Sequence, residues 1–113
     1  MPETIEDPVY KERRAHWAYV IENEVNGPLI KGRLREGDQF CAIGVACDIY
    51  DPSQWVFNET LVLRDWTYRE LRTLSPKEVE EWFGVSFGII GEIAQMNDKG
   101  ASPKAIADFI RSI

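Results

Sequence analysis

An α+β fold, mainly α, is predicted: about five helices around a central buried helix (residues 39–50), with one short β-hairpin (residues 55–63). Three features predict it. Asp7-Pro8, Ser75-Pro76 and Ser102-Pro103 each pair a capping side chain with a proline suited to a first helical turn. The run Gln39–Tyr50 is apolar nearly all round and rich in alanine. Two apolar triplets, Trp55–Phe57 and Leu61–Leu63, flank Asn58-Glu59-Thr60 as two strands flank a three-residue loop.

Taken in order, the first helix opens at Asp7-Pro8 and runs to about Val25, where Asn26-Gly27-Pro28 stops it. Trp17, Val20 and Ile21 share its apolar face. Residues 26–38 mix Leu29, Ile30 and Leu34 with Lys31, Arg33, Arg35, Gly32 and Gly37, and read as a partly extended connector. Asp38 is placed to cap the central segment that Asp51-Pro52 ends; periodicity alone leaves a buried strand open there. Residues 68–73 are read as a short helical turn. Ser75-Pro76-Lys77-Glu78 has the form of a capping box, and its helix ends at Trp82-Phe83 before Gly84. Ser86 caps a helix that closes at Asn97-Asp98-Lys99-Gly100. Ser102 opens the last one, with Ile106, Phe109, Ile110 and Ile113 on one stripe.

At 113 residues and 13.0 kDa the chain is expected to form one domain, residues 1–113. Thirteen Lys and Arg against nineteen Asp and Glu give a net charge of -6, the wrong sign for a phosphate-backbone binder. No basic recognition helix follows Ser102–Ile110, so a helix-turn-helix DNA reader is not expected either. No apolar run has the length of a membrane span, and the N-terminal segment has no hydrophobic signal region. Cys41 and Cys47 stand six apart, on different sides of a helix, and two unpaired thiols suit a reducing compartment. A cytoplasmic protein without nucleic-acid or membrane partners is the expectation; its oligomeric state is left open.

The candidates for chemistry are few. Cys41, in the first turn of the central helix, has the placement of a nucleophilic thiolate, and His16 is the one histidine available as its base. The competing reading makes both cysteines small core residues. No metal or cofactor is expected, because the thiols and the distant histidine lack the close pairing of zinc ligands. Lys31, Arg33 and Arg35 would share one side of an extended connector and could grip a small anion. Asn97 and Asp98 read either as a turn closed by Gly100 or as a polar site between helix ends. Gly44, Gly88 and Gly91 match no phosphate-binding fingerprint and are read as points of close helix packing. Trp55, Phe57, Trp66 and Tyr68, in the least regular stretch, are candidates for an interaction surface or for core filling.

Phe40-Cys41-Ala42-Ile43-Gly44-Val45-Ala46-Cys47-Asp48 has the form FCxxGVxCD. Pro76, Glu78, Val79 and Trp82 follow as PxEVxxW, and residues 97–110 as NDxGxSxxxIADxI. In this order, over roughly residues 33–113, the chain resembles a group of small proteins of unassigned activity common in bacteriophages and actinobacteria. The resemblance implies a phage or prophage provenance and a shared helical fold, and it carries no catalytic residue and no histidine. The expected function is therefore a non-enzymatic phage-type accessory protein that binds a host protein or small ligand in the host cytoplasm. The alternatives are a cysteine-dependent hydrolase or transferase using Cys41 with His16, and a nucleotide or small-anion sequestering protein.

Overall fold

The computed structural model describes residues 5–61 and 64–113. Their elements are, in order, α1 (Pro8–Glu22), β1 (Arg35–Glu36), β2 (Gln39–Phe40), α2 (Ala42–Tyr50), a 3-10 turn (Pro52–Gln54), β3 (Trp55–Glu59), β4 (Arg64–Tyr68), α3 (Lys77–Phe83), α4 (Phe87–Asp98) and α5 (Pro103–Ser112). The fold is α+β, with five α-helices and two small antiparallel sheets, β1-β2 and β3-β4, among the described residues. No helix among them is long and apolar enough to cross a membrane.

The proline-led starts hold at both ends of the chain. The Asp7 carboxylate accepts from Val9 N–H at 2.9 Å, and Ser102 Oγ accepts from Ala105 N–H at 3.1 Å, each just ahead of a proline in the first turn. α1 closes three residues before the expected Val25. Glu24 takes the left-handed conformation at φ 46, and Val25 N–H reaches back to Val20 O at 3.2 Å. That six-to-one closure leaves Asn26-Gly27-Pro28 already outside the helix.

Ser75 does not cap α3. Pro76 holds that position, the Ser75 hydroxyl is buried without a partner, and Glu78 pairs with Arg69 at 2.8 Å. Starting the helix one residue later moves Glu78 out of capping register. The far end is as expected, with Gly84 left-handed at φ 67.

The central segment is a helix, but it begins at Ala42, and Cys41 rather than Asp38 caps it. Gln39 and Phe40 are spent pairing with Glu36 and Arg35, which leaves Asp38 exposed in the turn. Ala42 through Cys47 are all buried, so α2 is the axis of the core. Trp17 of α1 donates its indole N–H to Ala42 O at 3.0 Å and packs on Phe83 of α3, rings 4.7 Å apart. α5 lies along α1 with Ile106, Ala107 and Ile110 inward, and Arg111 pairs with Glu22 at 2.6 Å.

Among the described residues, Arg14 is the one charged side chain of the deep interior, 2% exposed, and it forms no ion pair with a carboxylate there. Its guanidinium donates to Phe83 O and Ile5 O, each at 2.9 Å, and to Gly84 O at 3.4 Å. Those carbonyls include the unsatisfied C-terminal end of α3, where a cation also suits the helix dipole.

The hairpin exists with a different second strand. β4 is Arg64–Tyr68; Leu61 lies in the loop, fully exposed, and Val62 and Leu63 lie outside the described residues. The register sets Trp55 against Tyr68 and Phe57 against Trp66. Pairing with residues 61–63 would have opposed both rings to aliphatic side chains. The observed register stacks ring on ring, at 4.9 and 5.2 Å, worth about 0.5–1.5 kcal/mol a pair beyond burial. Residues 68–73 are no helical turn, because Arg69 and Glu70 have positive φ and Tyr68 pairs with Leu71 across a tight bend.

Of the glycines expected to permit close packing, Gly44 does so. A Cβ there would sit 1.9 Å from Leu34 O, whereas one on Gly91 would meet nothing within 4 Å and one on Gly88 only Ser86 Oγ. Gly44→Ala should therefore cost at least about 3 kcal/mol, because the atom in the way is backbone. Gly91→Ala should add about 0.5–1 kcal/mol through helix propensity. Urea denaturation of the two variants checks both signs.

Candidate functional site

Several of the residues singled out in the sequence lie around the connector that crosses the N-terminus of α2. Leu34, fully buried, donates its N–H to Arg72 O at 2.7 Å and accepts from Cys41 N–H at 3.1 Å. Asn97, 4% exposed at the end of α4, bridges the same region. Its amide donates to Ile30 O at 2.7 Å and accepts from Ala42 N–H at 2.8 Å. Asn97 is thus a structural crosslink rather than a displayed polar group. Gly100 closes the turn behind it at φ 84, and Asp98 is the exposed member, accepting from Gly32 N–H at 3.4 Å.

Two small hollows flank this crossing. One, of about 130 Å³, is lined by Arg33, Cys41, Ile43, Thr73, Asn97 and Asp98. The other, of about 110 Å³, is lined by Arg33, Asp65, Trp66 and Arg72, and shares Gly32, Arg33 and Thr73 with the first. Arg33, Cys41, Asn97, Asp98 and Trp66 therefore converge, as the sequence could not show. Asp65, Arg72 and Thr73 were not anticipated. Asp65 is nearly buried and holds Arg72 in an ion pair that also receives Asn58. No local spacing links residues 65 and 72; the bend at Arg69-Glu70 brings them together.

Cys41 is not prepared as a nucleophile. Burial, with Asp98 nearby, pushes its thiol above the ordinary range, although Gly44 N–H donates to Sγ at 3.3 Å. Cys47 lies deeper and is pushed up further, again chiefly by burial. Both thiols are free. His16 is exposed on α1 and lines neither hollow. The N-terminus of α2 is also closed to an anion, since Asn97 takes Ala42 N–H and Cys41 takes Gly44 N–H.

The three basic residues of the connector do not share a side. Bends replace the expected extended chain, so Lys31 lines a hollow beside Gly100, and Arg33 lines the two described above. Arg35 lies over the rings of Trp66, Phe40 and Trp55, at 3.6, 5.1 and 5.4 Å from their centroids. Its Nε donates to Gly37 O at 2.7 Å, and Asp38 stands 3.5 Å away. Among the described residues, no group of three or more His, Cys, Asp or Glu is placed to hold a metal ion.

The aromatic candidates divide. Trp55 and Tyr68 are core: Trp55 donates to Asp48 at 3.1 Å, and Tyr68 donates to Asp51 O at 3.0 Å. Trp66 is half-buried, and Phe57 is 41% exposed. Val56 and Leu61 add exposed apolar surface to the same hairpin. A wider hollow, about 320 Å³, holds none of the anticipated residues. It lies by α1 and α5, where Arg14, Lys11 and Arg111 already have partners.

No family model matches this chain, and neither a curated protein nor a solved structure is found to be similar to it.

Asn97→Asp should lower stability by about 1–3 kcal/mol at neutral pH, since a carboxylate cannot donate to Ile30 O. The introduced carboxyl, buried against a carbonyl, has a folded-state pKa above its unfolded one. Its protonated form is thus the compatible one, and the deficit against wild type should shrink as pH falls below the carboxylate range. Denaturation of both proteins at matched pH values reads this.

Proposed function

We propose that this chain is a non-catalytic, phage-type accessory protein that docks a host protein through the outward face of its β3-β4 hairpin. The observation that carries this reading is the ring pair Phe57–Trp66. It is held at the surface by Arg35, whose guanidinium lies 3.6 Å from the Trp66 ring centroid. Such a row is pre-ordered: the rings lose little freedom on binding, and Trp, Phe and Arg are the side chains most enriched in interface cores. The provenance rests on the resemblance of residues 33–113 to phage and actinobacterial proteins.

The chemistry near the other candidates supports the same choice. Drug-sized ligands occupy about 300–1,000 Å³, well above the 130 and 110 Å³ hollows on Arg33. Two of the polar groups around them are already engaged, Asn97 with Ile30 and Ala42, and Asp65 with Arg72. A protonated, buried Cys41 offers no nucleophile at neutral pH.

Phe57→Ser removes the exposed ring and leaves Trp55, Tyr68 and Arg35 in place. With thermal stability checked first, the immobilised variant should lose at least tenfold in capture of a host protein that wild type retains from bacterial lysate. Equal capture by the two overturns the hairpin as the docking face.

A further inference from the structure

The edge of β3 offers a second, independent mode of association. Tyr68 N–H and C=O are both spent on Leu71, at 2.8 and 2.9 Å, so they point away from β3. The Trp55–Tyr68 pair is therefore a non-hydrogen-bonded one, and by alternation so are Phe57–Trp66 and Glu59–Arg64. It follows that Trp55 C=O, and both backbone groups of Phe57 and Glu59, point outward from the hairpin. No hydrogen bond from outside the hairpin reaches them among the described residues. Edge strands are ordinarily blunted by proline, lysine or a bulge. Trp55-Val56-Phe57-Asn58-Glu59 has none of these, and its pairing runs unbroken over all five positions.

We propose that β3 pairs antiparallel with β3 of a second copy of this chain, centred on Phe57, to give a four-stranded sheet across a two-fold axis. This arrangement fits the edge in register and in charge. Phe57 exchanges N–H···O=C bonds with Phe57 of the second copy, and Glu59 N–H donates to the opposite Trp55 C=O in both directions. Four hydrogen bonds form, and Val56 faces Asn58. The two Glu59 carboxylates fall at opposite ends of the new pair, four residues or about 13 Å apart. That exceeds the roughly 8 Å screening length at physiological salt, so the strand's only charge does not oppose its copy. On one face the rings then form a continuous row, Trp66–Phe57–Phe57–Trp66. The contact is short, which sets the expected affinity in the micromolar range of weak interfaces.

Sedimentation velocity over a wide concentration series, with hydrogen exchange at each concentration, tests the pairing whether or not a host protein docks. Wild type should pass reversibly from monomer to dimer, with the amides of Phe57 and Glu59 gaining protection as the dimer forms. Glu59→Pro removes an outward N–H and leaves the hairpin ladder whole, costing only the exposed pair with Arg64. It should weaken the dimer at least tenfold, and so should Phe57→Lys, with far-UV circular dichroism unchanged in both. A monomer at every concentration, with concentration-independent exchange at those amides, overturns the proposal. So does a dimer that both variants leave intact.

Discussion

The Leu34 carbonyl passes over α2 at a distance that only a glycine beneath it allows. A Cβ on residue 44 would fall 1.9 Å from that oxygen, and so Gly44 fixes how near the connector can lie. Everything around the crossing is then tied to it. Leu34 N–H holds Arg72 O, and Leu34 O receives Cys41 N–H, so the loop after β4 and the start of α2 share one residue. Asn97 adds α4 by joining Ile30 O to Ala42 N–H. In place of free amides at a helix start, α2 has a thiol and an amide oxygen, each satisfying one orphan donor.

The chain is acidic overall, yet two of its enclosed cations, Arg14 and Arg35, are held chiefly by carbonyls and rings, with Asp38 the one acid paired to Arg35 among the described residues. Arg14 is spent on the carbonyls that end α3 and on Ile5 O, and Arg35 on the faces of Trp66, Phe40 and Trp55. Both placements suit a guanidinium, which is weakly hydrated, planar and rich in donors. A lysine in either place would be held less well, because its compact charge is more costly to strip of water. Arg14 thereby ties α1 to the end of α3, and Arg35 packs against Trp66 of the hairpin, beside the exposed Phe57.

What the sequence made legible was local. Asp7, Ser86 and Ser102 cap as read, Gly84 ends α3 in the left-handed conformation, and the α5 stripe buries Ile106 and Ile110. Those outcomes depend on side chains within a few residues of one another. Where a distant partner decided, local reading failed. Ser75 looked like a cap until Glu78 found Arg69. Leu61–Leu63 looked like a strand, but cross-strand ring pairs and Arg35 select Arg64–Tyr68 instead. The role of Asn97 was hidden for the same reason, as its partners are 55 and 67 residues away in the chain. The candidate site was half visible: Arg33, Cys41, Asn97, Asp98 and Trp66 were named, but nothing in their spacing said that they meet.

Cys41 sits in the fold as an internal cap of α2. Its thiol is protonated by burial and engaged with Gly44 N–H, at the foot of a hollow of about 130 Å³. The most direct measurement is the rate of iodoacetamide alkylation of Cys41 and Cys47 in the native protein, from mildly acidic to mildly alkaline pH, read by mass spectrometry. Both thiols should resist labelling until denaturant is added, with any native reaction rising only at alkaline pH. Rapid labelling of Cys41 alone, persisting below the roughly 8.5 pKa of a free thiol, would contradict the account and make this residue a nucleophile.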